Sequence, residues 1–144
     1  MRFWDSSALV PLLVSESSSE VMARTYRDDR VIVVAWTTAI ECVSACMRKH
    51  RAKQLSESHL AQILDRLRDL RAEWIVAEPT VDVASTAERI VARHNLRAAD
   101  AIQLASAIAT SSPAQGTVDI VCLDRRLAHA ASTEGFRILP DLPR

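Results

Sequence analysis

The 144 residues predict a single α/β domain built on a central, mostly parallel sheet of four or five strands flanked by helices, with a helical hairpin protruding from one side. Two observations carry this prediction. Residues 31–35 (Val-Ile-Val-Val-Ala) and 120–123 (Ile-Val-Cys-Leu) are continuous apolar runs of strand length, the pattern of strands covered on both faces. Between such runs lie longer segments with apolar residues three and four apart, so strands and helices alternate and right-handed crossovers follow. At this length one domain buries about 68–70% of the surface its unfolded chain exposes, and no second domain is needed.

The elements follow in order. Residues 2–4 read as a short first strand and 6–13 as a short helix, in which Pro11 is tolerated only near the beginning. A second helix spans 18–26, and Asp28-Asp29 turns the chain into the 31–35 strand. Thr38 and Glu41 have capping-box spacing and open a helix over 38–49. Leu60, Ile63, Leu67 and Leu70 mark a helix over 57–71, which pairs with the preceding one as the hairpin. A strand at 74–76 precedes a helix at 81–93, closed by His94-Asn95 because Asn accepts the left-handed conformation. Residues 98–110 are helical, with Ala101, Ala105, Ile108 and Ala109 available for one buried side. Residues 111–116 form a loop, 119–123 a strand and 125–133 a helix stopped at Gly135. A last strand lies at 136–139, and the Pro-rich end lies on the surface.

Composition narrows the function. No apolar stretch approaches the roughly 20 residues that a bilayer requires, and Arg2 and Asp5 interrupt any secretion signal, so a cytoplasmic location is expected. Cys42, Cys46 and Cys122 stand in apolar surroundings and read as reduced core thiols. Zero net charge excludes strong whole-molecule attraction to nucleic acid while allowing a local positive patch, and 16 of the 18 basic residues are Arg, whose planar fork suits phosphate. With two glycines and no Gly-x-Gly-x-x-Gly, a dinucleotide enzyme is excluded. A phosphoaspartate enzyme would need a second Asp where Ser7 stands.

Four carboxylates occupy equivalent places. Asp5 and Asp124 directly follow strands, while Glu41 and Asp100 sit in the first turns of helices. Each alone is accounted for by unpaired N–H groups and the helix dipole, worth about 0.3–1 kcal/mol. Together they converge, because parallel strands end at one edge and open a crevice where the strand order reverses. Carboxylates so placed repel one another until their pKa values rise or a hard cation neutralises them, and an oxygen-only set favours Mg²⁺ or Mn²⁺ over Zn²⁺.

The segments Asp5-Ser6-Ser7-Ala8-Leu9, Thr38-Ala39-Ile40-Glu41, Arg97 through Ala105 (Arg-Ala-Ala-Asp-Ala-Ile-Gln-Leu-Ala) and Cys122-Leu123-Asp124-Arg125-Arg126-Leu127 resemble the PIN-domain family, and in particular the VapC-like toxins of bacterial toxin–antitoxin pairs. The resemblance spans residues 3–136 and implies a PIN-like fold over 1–144. It also implies divalent-metal-dependent ribonuclease activity, a cognate antitoxin protein and a homodimer. By position, Asp5, Glu41, Asp100 and Asp124 match the family's acidic quartet, and Ser7 matches the small hydroxyl residue that supports the first carboxylate. Pro11 and the extended 111–117 loop depart from the family pattern, away from the quartet.

On this reading Mg²⁺ held by Asp5 and Asp100, with Glu41 and Asp124 ligating directly or through water, activates a water for in-line attack on an RNA phosphodiester. His50, His59, His94 and His129 fall away from the motifs and read as surface or packing residues. Arg93, Arg97, Arg125 and Arg126 are the candidates for RNA contact, and the cluster 48–51 is a further basic patch. Trp4, Trp36 and Trp74, at strand ends, are expected to pack in the core or at an interface rather than stack on bases. The alternative is a non-catalytic PIN-like domain that binds protein or RNA.

Overall fold

A computed structural model describes residues 1–111 and 116–141. The elements are β1 (Arg2–Trp4), α1 (Ser6–Leu13), α2 (Ser19–Asp28), β2 (Ile32–Ala35), α3 (Thr38–Arg51), α4 (Glu57–Arg71), β3 (Ile75–Ala77), α5 (Val81–His94), α6 (Ala98–Thr110), β4 (Asp119–Val121), α7 (Arg125–Thr133) and β5 (Ile138–Leu139). The five strands form one sheet in the order β3-β2-β1-β4-β5, and every neighbouring pair is parallel. The expected loop at 111–116 and the Pro-rich end fall partly outside the described residues. Among the described residues no helix is long and apolar enough to cross a membrane.

Successive strand residues face opposite sides, and both sides are covered. Phe3, Val33, Ala35 and Ile120 point into a core closed by α5, α6 and α7, which contribute Ile90, Leu104 and Leu127. Trp4, Ile32, Val34 and Val121 point into a second core with Leu9, Met22, Cys42, Cys46, Leu60, Ile63 and Leu67 from α1 to α4. This two-sided burial explains why the β2 run is apolar at every position rather than at alternate ones. Trp4 is fully buried and meets Tyr26 edge-on, with ring centroids 6.4 Å apart. The three cysteines are free and buried, as their surroundings predicted.

Several local expectations need correction. Ala109 is exposed; the buried side of α6 runs instead through Ala101, Leu104, Ala105 and Ala107, together with Gln103 and Ser106. Trp36 lies outside the core at 43% exposure, so of the two settings expected for it the core is excluded and an interface is left. Pro11 is the sixth residue of α1 rather than an early one, tolerated in a helix that ends at Leu13. The last strand begins at Ile138, not Phe136, because Phe136 is spent on closing α7: its N–H reaches the Ala131 carbonyl at 3.0 Å while the Gly135 N–H reaches Ser132 at 3.1 Å. This is the Schellman arrangement, with Gly135 in its left-handed position at φ +93°. Asn95 closes α5 in the left-handed conformation, as its residue type predicted.

Candidate active site

The parallel sheet brings the ends of β1 and β4 side by side, and the strand order departs in opposite directions from this pair. Asp5 leaves β1 with its N–H bonded to the Val121 carbonyl of β4 at 3.0 Å. It caps α1: its carboxylate accepts from the Ser7 N–H at 2.9 Å and from the Ser7 hydroxyl. The same hydroxyl accepts from the N–H groups of Leu123 at 3.0 Å and Asp124 at 3.2 Å. Ser7 therefore joins the first carboxylate to the backbone that carries the fourth. Asp124 in turn caps α7, one oxygen accepting from the N–H groups of Arg126 at 2.8 Å and Leu127 at 2.9 Å.

Glu41 is held differently from the expected capping box. Thr37, not Thr38, is the N-cap residue, and its side chain makes no cap hydrogen bond. Thr38 is buried against Gln103 of α6, whose amide nitrogen donates to the Thr38 hydroxyl at 3.0 Å and to Glu41 Oε1 at 2.9 Å. The Thr37 hydroxyl donates to Glu41 Oε1 and the Ser6 hydroxyl to Glu41 Oε2, both at 2.8 Å. Gln103, Thr37 and Ser6 are thus site residues that sequence reasoning missed. Gln103 carried a signal, since it sits one turn after Asp100 as an amide in a run dominated by Ala, Ile and Leu.

Electrostatics reflect the crowding of negative charge. Asp5 is 4% exposed, and burial pushes its pKa up to about 6 against the opposing hydrogen bonds from the Ser7 hydroxyl and N–H; the Glu41 charge adds to the rise. Asp100, half-buried in the first turn of α6, is also raised, first by desolvation and then by the charge of Asp124, against the Arg97 N–H and the Arg126 guanidinium. Glu41, Asp100, Ser6 and Ser7 line one cleft of about 600 Å³. Among the described residues, no three His, Cys, Asp or Glu side chains are gathered closely enough to hold a metal ion as they stand. The anchoring explains this, because Asp5, Glu41 and Asp124 are each oriented by donors from their own surroundings.

The donor chemistry nevertheless fits a hard divalent cation. The sulfur nearest the site, that of Cys122, lies 3.8 Å from Asp5 Oδ2 and is kept protonated by burial, which raises its pKa well above the ordinary thiol value. The groups left to meet a cation are carboxylate oxygens.

The arginines divide. Arg126 acts on Asp100 and donates to the Asn95 carbonyl at 3.0 Å, and Arg97 is the N-cap residue of α6. Arg125 is exposed at the start of α7. Arg93 instead faces Glu134 at 3.3 Å, alongside Arg89 and His94. His50 bonds the Leu55 carbonyl at 2.9 Å, and His59 and His129 are exposed, so the histidines take the surface and packing roles expected of them.

A family model of the PIN domain matches residues 2–132. Ribonuclease VapC45 of Mycobacterium tuberculosis is 33% identical over 141 residues, covering 96% of this chain and 94% of that protein. The crystal structure of Mycobacterium tuberculosis VapC20, described as a sarcin-ricin loop cleaving toxin, has a TM-score of 0.69 at 15% identity and covers 94% of this chain and 96% of its own. FitAcB from Neisseria gonorrhoeae has a TM-score of 0.64 at 16% identity, covering 96% of each chain. The chain belongs to the PIN-domain family and is homologous to VapC-like toxins.

The raised pKa of Asp5 makes a signed prediction. An acid with a higher pKa folded than unfolded holds its proton more tightly when folded. Its ionisation therefore removes stability as pH rises from the ordinary 3.8 toward about 6, and the full cost, on the order of 3 kcal/mol, stands above that window. In metal-free urea denaturation, Asp5→Asn should match the wild type near the lower end of the window and exceed it in stability above the upper end. A stability difference independent of pH would contradict this.

Proposed function

We propose that the chain is a Mg²⁺-dependent endoribonuclease, with Mn²⁺ an effective substitute, that hydrolyses RNA phosphodiester bonds in the cytoplasm as the toxin of a toxin–antitoxin pair. The observation that carries this reading is a buried Asp5 with elevated proton affinity at the switch point of the sheet, tied through Ser7 to the backbone of Asp124 and followed directly by the Ser6 and Ser7 that line a cleft with Glu41 and Asp100. Its curated relative VapC45 is named a ribonuclease, which supports the same chemistry.

In this reading Asp5, Glu41, Asp100 and Asp124 hold the cation, and Ser7 fixes the first carboxylate. The bound cation supplies charge neutralisation and a water of lowered pKa. The chain's own task is positional. Ser7 keeps Asp5 turned toward the end of β4, Gln103 and the hydroxyls of Ser6 and Thr37 steady Glu41, and the capping bonds of Asp124 leave its second oxygen for the site. Arg97, Arg125 and Arg126 border the acidic centre as phosphate contacts, with Arg93 more remote on Glu134.

The antitoxin fits the same electrostatics. A partner segment bringing an Arg among the carboxylates would pair with them and compete with the cation. Purified chain freed of its partner should cut RNA only with Mg²⁺ or Mn²⁺, and the partner should suppress the cutting. Asp5→Asn should lower cleavage about 100-fold or more while remaining folded. Wild-type cleavage by that variant would refute the assignment.

We also propose a homodimer. An apolar groove of about 320 Å³ between α5 and α6 is lined by Val83, Val91 and Ile102 and bordered by the exposed Trp36, which supports self-association. Sedimentation should show a dimer that dissociates on dilution, and a monomer at high micromolar concentration would contradict it.

A further inference from the structure

The cleft lined by Glu41 and Asp100 has a second pole. Along α3, Glu41, Ser44, Ala45 and Arg48 share one face at three- and four-residue spacing, and all line the cleft. Seven residues of helix separate Glu41 from Arg48 by about 10 Å along the axis. The opposite wall comes from Ser6, Ser7 and Val10 of α1 and from Ala99 and Asp100 of α6. The cleft is therefore negative where it meets the sheet edge and carries its cations at the far end of α3.

Among the described residues, only one of those two cations has no carboxylate partner. Lys49 is bound to Glu16 at 2.6 Å, both side chains being 28% exposed, and the pair is neutral as a unit. Arg48 is exposed, and its Nη1 donates to the Ser44 hydroxyl at 3.0 Å, one turn back on the same helix. That tether holds the guanidinium on another residue of the cleft lining without neutralising it. In a chain of zero net charge, attraction for a polyanion must come from such local groups.

We infer that Arg48 is a substrate-binding residue that grips a phosphate of a single RNA strand beyond the one cleaved at the carboxylates, so that the strand lies along α3 from Glu41 to Arg48. The inference rests on the nuclease reading above and extends it. Its planar fork matches two phosphate oxygens and gives the strand a fixed anchor at the end of the cleft away from the carboxylates.

The test uses a short fluorescein-labelled single-stranded RNA and fluorescence anisotropy across a salt series with Mg²⁺ present. Three full-length proteins are compared: Asp5→Asn, Asp5→Asn with Arg48→Ala, and Asp5→Asn with Arg71→Ala. Arg71 is exposed at the end of α4, outside the lining of the cleft, and so controls for loss of one positive charge. Removing Arg48 should weaken binding about tenfold and reduce the slope of log K against log salt by about 0.7, as for one lost single-strand phosphate contact. Removing Arg71 should leave both nearly unchanged. Equal binding with and without Arg48, or equal losses from the two substitutions, would overturn the assignment. Wild-type cleavage measured alongside separates the failures: a wild type that cleaves while the Arg48 substitution has no effect overturns Arg48 alone, whereas a wild type that neither cleaves nor binds RNA overturns both readings.

Discussion

The hydroxyl of Ser7 ties Asp5 to the backbone of Leu123 and Asp124, and the arrangement of the site depends on these bonds. It donates to Asp5 at the end of β1 and accepts from the N–H groups of Leu123 and Asp124 just past the end of β4. The parallel β1–β4 pairing places these strand ends in register, Trp4 opposite Val121, and the Asp5 N–H continues the ladder by one bond. Two residues 119 positions apart in the chain are thereby fixed beside each other through a single side chain. A carboxylate that stays buried at this junction does so because its hydrogen bonds offset part of the desolvation, and its pKa stays elevated through the part left over and the nearby charge of Glu41.

The same logic extends outward to Glu41. Its two oxygens are divided among donors from α1, from the turn before α3 and from α6, so three elements of the fold meet on one side chain. Buried amide and hydroxyl groups such as Gln103 and Thr38 find their partners in this network rather than in water. The helices are consequently tied to the sheet edge by polar bonds at the site as well as by the apolar packing of the two cores.

Legibility in the sequence followed the range of the interactions. The β2 run, the α4 stripe of Leu60, Ile63 and Leu67, and the left-handed Asn95 were readable because local composition and period determine them. Asp5 and Asp124 were readable as strand-end residues and Glu41 and Asp100 as helix-start residues, and of the four Glu41 and Asp100 line one cleft. What was not readable depends on partners far along the chain. Thr38 forgoes the capping box because Gln103, 65 residues away, claims its hydroxyl. Ala109 differs in burial from the expected helical face because α6 is covered on several sides at once, and small residues elsewhere on it take the close contacts. Trp36 is large and apolar yet exposed, since β2 ends before it and the chain turns outward into α3.

The central claim is that Asp5, Glu41, Asp100 and Asp124 close on one divalent cation at the carboxyl edge of the sheet. Anomalous scattering from crystals of the purified chain grown with Mn²⁺ tests it most directly. The account predicts a peak between Asp5 and Asp100, within coordination distance of carboxylate oxygens at about 2.0–2.6 Å. A well-ordered crystal with no peak at this edge, or with Mn²⁺ bound only elsewhere, would contradict it.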